Sequence, residues 1–418
     1  MPRVLLVLPT TTYRTPDFLE AARLLGVDVT VASEKPSTLE GLNPEGFLTL
    51  DLRNPEAAAR EAARFAVRFP IDAVVGVDDD STVPAAAVAR ALGLPANPVE
   101  AAMAAVHKPS MRERLARAGV SQPTYHLFDR AEKPEAVAGR IGYPCVVKPT
   151  YLAASRGVIR VDDPEAFVLA WRRIERILED PEVRAKGGLW SREILVEDYL
   201  AGPEVALEGL LRDGELTTLA LFDKPDPLEG PYFEETIYVT PSRLPPGLQE
   251  RIARAAAAAA AAIGLVRGPI HAELRLPDGE PAVIEVAGRS IGGLCSRTLR
   301  FGTGLSLEEL ILRDALSLPI PPGDRARAAA GVMMIPIPKA GRLEEVAGVE
   351  EARRVEGIED VVISAHAGDR VAPPPEGWRY LGFLFSRGET PAEAEAALRR
   401  AFALLRISIR DGNGVSRN

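Results

Sequence analysis

Residues 271–289 read HAELRLPDGEPAVIEVAGR. Two apolar runs, Ile270–Leu276 and Pro281–Val286, flank the turn Pro277–Asp278–Gly279, so the spacing predicts an antiparallel hairpin. Side chains on a strand alternate faces. Glu273 and Glu285 therefore fall on adjacent strands and face each other across the pair. Two carboxylates held this close repel unless a divalent cation lies between them. Magnesium takes oxygen ligands and shares them with phosphates, which suits the pair. Arg289, four residues further on, is within reach of a phosphate on that metal. The backbone of GRSIGG (288–293), with Gly292 and Gly293, is open to close approach by an anion. An acidic hairpin taken alone is more often a solvated sheet face, so the weight falls on what lies upstream.

Upstream, PCVVKPTYLAASRGV (144–158) places Lys148 at the mouth of an apolar strand, followed by a loop of small residues with Ser155 and Gly157. A lysine there is awkward unless it neutralises an anion; the plain alternative is a snorkelling side chain on an edge strand. VEDYLAGPEV (196–205) runs from a strand into a turn, with Glu197 before the turn and Glu204 after it. Such a turn offers backbone groups to an adenine edge and a carboxylate to ribose hydroxyls, although a solvated loop explains it equally well. Only seven of the 50 basic residues are Lys, at 35, 108, 133, 148, 186, 224 and 339. A lysine in a structured motif is informative against that background, because its compact charge is not copied by the planar arginine fork.

The 418 residues make room for several domains. RVLLVL (3–8), VDVTVAS (27–33) and IDAVVGV (71–77) alternate with helical segments, which argues a doubly wound α/β domain. No GxGxxG follows the first strand, so a dinucleotide site of the Rossmann type is disfavoured. A helix over 109–118, a helix over 164–180 and a polar segment near 181–188 precede a strand-rich stretch from Glu193. The alanine run 255–262 reads as a helix interior. Pro319–Pro322 resembles a linker, and the remainder reads as a smaller α+β unit with one helix at 391–405. The resulting division is 1–104, 105–187, 188–322 and 323–418. The net charge of −9 argues against a nucleic-acid partner held by bulk electrostatics. Two cysteines give neither a disulfide framework nor a zinc site, and no apolar run approaches the ~18 residues of a membrane span. The cytoplasm is the expected compartment.

In order and spacing, Lys108 in VHKPSMRERLARAGVSQP, Lys148 in VVKP, Glu197 in VEDYL, Glu273 in HAELR and Glu285 to Arg289 in IEVAGR resemble the ATP-grasp superfamily. The resemblance covers about residues 1–320. It implies an ATP-grasp fold behind an N-terminal doubly wound domain, with a small C-terminal α+β domain. In that family Lys108 and Lys148 would hold ATP phosphates, with Ser155 in the covering loop. Glu197 to Leu200 would hold adenine, and Glu204 the ribose. Glu273 and Glu285 would hold magnesium, for which manganese can substitute, and Arg289 would stabilise an acyl-phosphate. Many members carry Glu-x-Asn-x-Arg where this chain has Ala287, so one magnesium is expected, and for a second the usual oxygen ligand is missing or comes from elsewhere. The stretch DKPDPLEGPYFEETIYVTPS (223–242), GRSIGGL (288–294) and the C-terminal unit look most like L-amino-acid ligases and related carboxylate–amine ligases. That implies ATP-dependent joining of a small-molecule carboxylate to an amine, amino acids among them, in a homodimer. Lys224, Glu234, Glu235 and His271 are the candidates for the substrate side; a packed strand histidine is an equally good reading of His271. A bicarbonate-using carboxylase of the same superfamily and a nucleotide-binding protein without catalysis are the rival readings, the second favoured by Ala287.

Overall fold

The computed structural model describes residues 1–301, 304–320 and 328–411. β1 (Arg3–Val7), β2 (Asp28–Ser33), β3 (Phe47–Thr49) and β4 (Ala73–Gly76) form a parallel sheet in the order β3-β2-β1-β4. Both faces of β1 are covered, as an unbroken apolar run requires. Val4 and Leu6 pack towards Leu310 and Phe383, while Leu5 and Val7 pack towards Ala58 and Val88. β1 lies between β2 and β4, so the loops leaving β1 and β4 open a crevice at the carboxyl edge of the sheet, where open α/β sheets bind ligands.

β5 (Tyr125–Asp129), β6 (Cys145–Pro149), β7 (Ile159–Val161) and β8 (Glu193–Asp198) form an antiparallel sheet, order β5-β8-β6-β7. The helix Pro164–Glu179, capped by Asp163, lays Phe167, Trp171 and Ile174 on it. Where a polar segment was expected after this helix, Pro181–Gly187 is a second short helix, capped by Asp180. The expected boundary at 187 also moves, because β8 belongs to this sheet.

β9 (Glu204–Arg212), β10 (Glu215–Asp223), β11 (Ile237–Thr240), β12 (Gly268–Arg275) and β13 (Ala282–Ala287) continue into a larger sheet. The alanine-rich helix Pro246–Ile263 packs on it through Ile252, Ala256, Ala259, Ala260 and Ile263, and Gly264 ends it in the left-handed conformation. The sheet does not stop at the expected domain boundary. β14 (Ala329–Ile335), β16 (Ile358–Ile363) and β18 (Gly382–Gly388) extend it to eight strands, order β13-β12-β9-β10-β11-β14-β18-β16. The late helix, Pro391–Phe402, covers β14 and β18. β15 (Gly341–Ala347), β17 (Arg370–Val371) and β19 (Arg406–Arg410) form a separate sheet within the C-terminal unit, order β17-β15-β19. Pro321 and Pro322 of the expected linker lie outside the described residues. Among the described residues no helix is long and apolar enough to cross a membrane.

Candidate active site

The expected hairpin forms, and its register sets Glu273 directly opposite Glu285. Both face a cavity of about 330 Å³ enclosed by the first sheet, the two later sheets and the C-terminal unit. Lys108, Lys148, Ser155, Glu197, Leu200, Glu204, Glu235, His271, Arg289, Gly292 and Gly293 line the same cavity. Lys224 stands just behind its wall, bonded to residues that line it. Glu234 is the candidate the structure leaves out: it is not on the wall, and burial raises its carboxyl above the ordinary glutamate value.

Lys148 is the last residue but one of β6, and its ammonium lies 2.6 Å from one oxygen of Glu197 on the neighbouring β8. The other oxygen of Glu197 accepts from Arg112 at 2.6 Å, and Arg112 also donates to the carbonyls of Val283 and Ile284. Burial alone would raise the Glu197 carboxyl, but the Arg112 and Lys148 charges outweigh it and bring it down to about 2. The Glu197 side chain thus secures Lys148, leaving the backbone of the following turn for a ligand. Burial lowers Lys148 below the usual lysine value against the pull of Glu197, with Arg112 and Lys108 pushing the same way as burial. The loop after β6 is compact. Ala154 and Ser155 hold left-handed conformations, and at Gly157, also left-handed, a Cβ would lie 2.7 Å from Pro149.

Glu273 faces a crowded corner. Lys224 donates to Glu204 at 2.7 Å, to Glu273 at 3.1 Å and to Glu235. Burial opposes the charge on Lys224, yet the three carboxylates hold it well above the usual lysine value. Burial and the Glu273 charge raise the Glu235 carboxyl to about 7, with Lys224 opposing. His271 shares the face of Glu273; its Nδ1 meets Glu208 at 2.5 Å and its Nε2 meets Glu273 at 3.3 Å. Burial would lower His271, but Glu208 and Glu273 raise it to about 9, so the ring is charged at neutral pH. Both nitrogens of this buried ring are thus taken up by carboxylates. The second oxygen of Glu204 accepts from Arg275 at 2.9 Å. Across the hairpin, Glu285 lies 3.3 Å from the Lys108 ammonium.

These donors are hard carboxylate oxygens, now balanced by ammonium groups, and they fit magnesium. Ala287 also lines the cavity, 2% exposed, and brings only a methyl group. Among the described residues, the carboxylates whose oxygens come close enough to share one ion are Glu204, Glu235 and Glu273, within 4.8 Å of one another, and Glu285 is not among them.

The N-terminal sheet closes the opposite side. Arg289 does not wait free for a phosphate: it grips Asp79 with two bonds of 3.0 and 2.9 Å. Asp79 opens the helix Asp79–Leu92 directly after β4, and the next residue, Asp80, takes Lys186 from the small subdomain at 2.6 Å. Arg14, 1% exposed, reaches Glu308 at 3.2 Å. No local pattern in the sequence marks Asp79, Asp80, Arg14, Arg112 or Lys186, because their partners lie far away in the chain. Nor does any local pattern mark an aromatic wall. Tyr13, Trp378, Tyr380 and Phe383 line the cavity, with Tyr13 and Tyr380 each set edge-on to Phe383.

Family models match three segments: an ATP-grasp N-terminal domain at residues 19–96, an ATP-grasp domain at 141–298 and an L-amino acid ligase C-terminal domain 2 at 333–410. The structure is similar to the crystal structure of L-amino acid ligase from Bacillus licheniformis, with a TM-score of 0.84 and 28% identity, covering 98% of this chain and 99% of that one. It also shares the fold of N5-carboxyaminoimidazole ribonucleotide synthetase from Thermotoga maritima, with a TM-score of 0.71 and 16% identity over 98% of this chain and 100% of that one. Among curated proteins, it is 30% identical to alanine–anticapsin ligase of Bacillus subtilis over 270 residues, which is 62% of this chain and 56% of that protein. It is 28% identical to dapdiamide A synthase of Enterobacter agglomerans over 199 residues, 47% of this chain and 45% of that protein. The chain thus spans about half the length of these two curated relatives. Three matching segments in the expected order and a shared fold along nearly the whole chain lead to one conclusion: this protein belongs to the ATP-grasp superfamily and, within it, resembles the L-amino acid ligases.

Proposed function

We propose that this chain is an ATP-dependent ligase that activates a small-molecule carboxylate as an acyl-phosphate and joins it to an amine, with amino acids as substrates. The observation that carries this reading is a single cavity bringing Lys108, Lys148 and Arg289 together with the opposed pair Glu273 and Glu285. Cations for phosphates and hard ligands for magnesium thus surround one space, and an aromatic wall beside them can hold an organic substrate.

In this reading Lys108 and Lys148 neutralise the phosphates, the Ser155 loop covers them, and the backbone from Glu197 to Leu200 takes the adenine edge. Glu204 takes the ribose on lone pairs that Lys224 and Arg275 leave open. Glu273 and Glu285 would hold magnesium, or manganese in its place, and the bound ion would supply Lewis-acid polarisation and a template. A carboxylate oxygen attacks the γ-phosphorus and ADP leaves. The amine nitrogen then attacks the acyl carbon; the C–N bond forms, the C–O bond to phosphate breaks, and the amine gives up a proton. Arg289 stabilises charge on the transferring group, with Asp79 fixing its orientation. Such chemistry asks mainly for positioning and charge neutralisation. The reading also includes a homodimer, no nucleic-acid or membrane partner, and a cytoplasmic location.

The test is phosphate release with ATP, magnesium and pools of amino acids. No release above background with any carboxylate–amine pair sinks the ligase reading. Release that depends on bicarbonate points to a carboxylase, and tight ATP binding without turnover to a nucleotide-binding protein. Lys148→Ala is expected to cut turnover at least tenfold; wild-type turnover in that variant removes Lys148 from the phosphate site.

A further inference from the structure

Beside the cavity just described lies a larger one, of about 1140 Å³. Thr11, Tyr13, Trp378 and Tyr380 line both, so the two chambers meet at the aromatic wall. The outer chamber is bounded by β15, β17 and the segment 372–380, and its charges are not balanced. Of its carboxylates, Glu376 is gripped by Arg173 at 2.6 and 2.7 Å and Asp411 pairs with Lys339 at 2.7 Å, both cations standing outside the chamber wall. Asp180 caps a helix, and Asp369 accepts from the backbone of His366 at 2.9 Å. Of its arginines, Arg410 pairs with Glu344. Arg156, Arg342, Arg370 and Arg379 have no carboxylate within ion-pair distance among the described residues, and Arg342 donates to the Gly368 carbonyl at 2.6 Å. Four guanidinium groups thus stand against the charges of Asp180 and Asp369. The exposed Arg379 lies over the ring of its neighbour Trp378, with the guanidinium 4.3 Å from the ring centre, at the junction of the chambers.

We infer that the outer chamber is a subsite for a carboxylate on the amine substrate that is remote from the reacting nitrogen. Its ligand is then a short peptide whose amino end reaches past Tyr13 and Tyr380 to the reaction centre. The C-terminal carboxylate of that peptide is taken by Arg379, with Arg370 beside it. The chamber's size favours a peptide over a single amino acid, and the guanidinium forks that line it suit a carboxylate. This inference rests on the ligase reading for its chemistry, but not for its binding measurement.

The test therefore has two arms. In the first, the protein with ATP analogue and magnesium is titrated calorimetrically with a dipeptide, with the same dipeptide as its C-terminal amide, and with inorganic phosphate. The free acid is expected to bind at least tenfold more tightly than the amide. The double variant Arg379→Gln/Arg370→Gln is expected to bring the two within about twofold, as loss of charge-assisted bonds predicts. In the second arm, phosphate release with a saturating carboxylate donor should show the same preference in the KM of the acceptor, with the KM of ATP unchanged. Equal binding of acid and amide by the wild type, an undiminished preference in the variant, or phosphate binding as tightly as the dipeptide each overturns the subsite. Carboxylate-dependent binding without any phosphate release keeps the subsite and overturns the ligase reading instead.

Discussion

Glu197 shows how the site is made at the scale of one residue. Its carboxylate is buried between Arg112 and Lys148, and each oxygen has its own cation. Removing one partner of such a buried pair costs more than the pair contributes, because a charge is left without compensation. Glu197→Gln is expected to destabilise the protein by about 3–5 kcal/mol, read by urea denaturation at neutral pH. The sign of the pH dependence follows from the depressed carboxyl. Its ordinary value is 4.5 and its folded value about 2. The stabilisation is therefore complete above the ordinary value and is lost as the pH falls from there through about 2. Denaturation curves across that window should show a steeper loss in the wild type than in Glu197→Gln; parallel curves would remove Glu197 from the acid response. Read in the sequence, Glu197 was a carboxylate near a turn. Its partner Arg112 lies 85 residues away, and a pairing at that distance leaves no local pattern.

Elements carry the residues to one another, and their turns are the sensitive points. Gly202 lies between β8 of the small sheet and β9 of the large one, in the turn proposed to meet adenine. Its φ is +99°, and a Cβ there would sit 2.5 Å from the carbonyl oxygen of Leu276. Gly202→Ala thus combines backbone strain with a clash and is expected to cost about 1–3 kcal/mol and to raise the KM for ATP. Gly279, with φ of +80° and open space around it, supplies the control, since alanine there suffers strain alone. Equal losses of melting temperature in the two variants would refute the close approach at Gly202. The hairpin of Glu273 and Glu285 was legible because alternation and a turn sequence are local properties. The helix Pro181–Gly187 was not: it is short and polar, and it is fixed by the Asp180 cap and by burial of Val183 against the small-subdomain core.

For the molecule as a whole, the consequential feature is the sheet that runs through the presumed domain boundary. β11 pairs on its far side with β14, and the core holding Ile237 and Val239 is completed by Met333, Ile335 and Leu384. A chain ending at residue 320 would leave β11 as an exposed apolar edge, a template for aggregation. Such a fragment is expected to elute as aggregates and to bind more hydrophobic dye than the full chain. A monodisperse, cooperatively unfolding fragment would show the C-terminal unit to be separable. The same continuity brings Trp378, Tyr380 and Phe383 to a cavity whose charged residues precede residue 290.

By itself the sequence determined the kinds of element, the order of the motif residues and the family they resemble. Apolar periodicity, turn chemistry and short-range spacing are written along the chain. It also exposed the missing oxygen at Ala287, because an absent ligand atom is a property of one side chain. Tertiary structure alone decided which charge meets which. It spent Glu197 on securing Lys148, set Lys224 among three carboxylates, turned Arg289 onto Asp79 and left four of the five outer arginines without an acid among the described residues. Those pairings join residues tens to hundreds of positions apart, and only the folded geometry sets their distances. On those distances rests the revised view of the opening hairpin: Glu273 and Glu285 do face each other, but each is already balanced by a lysine that an incoming magnesium and nucleotide would have to displace or share.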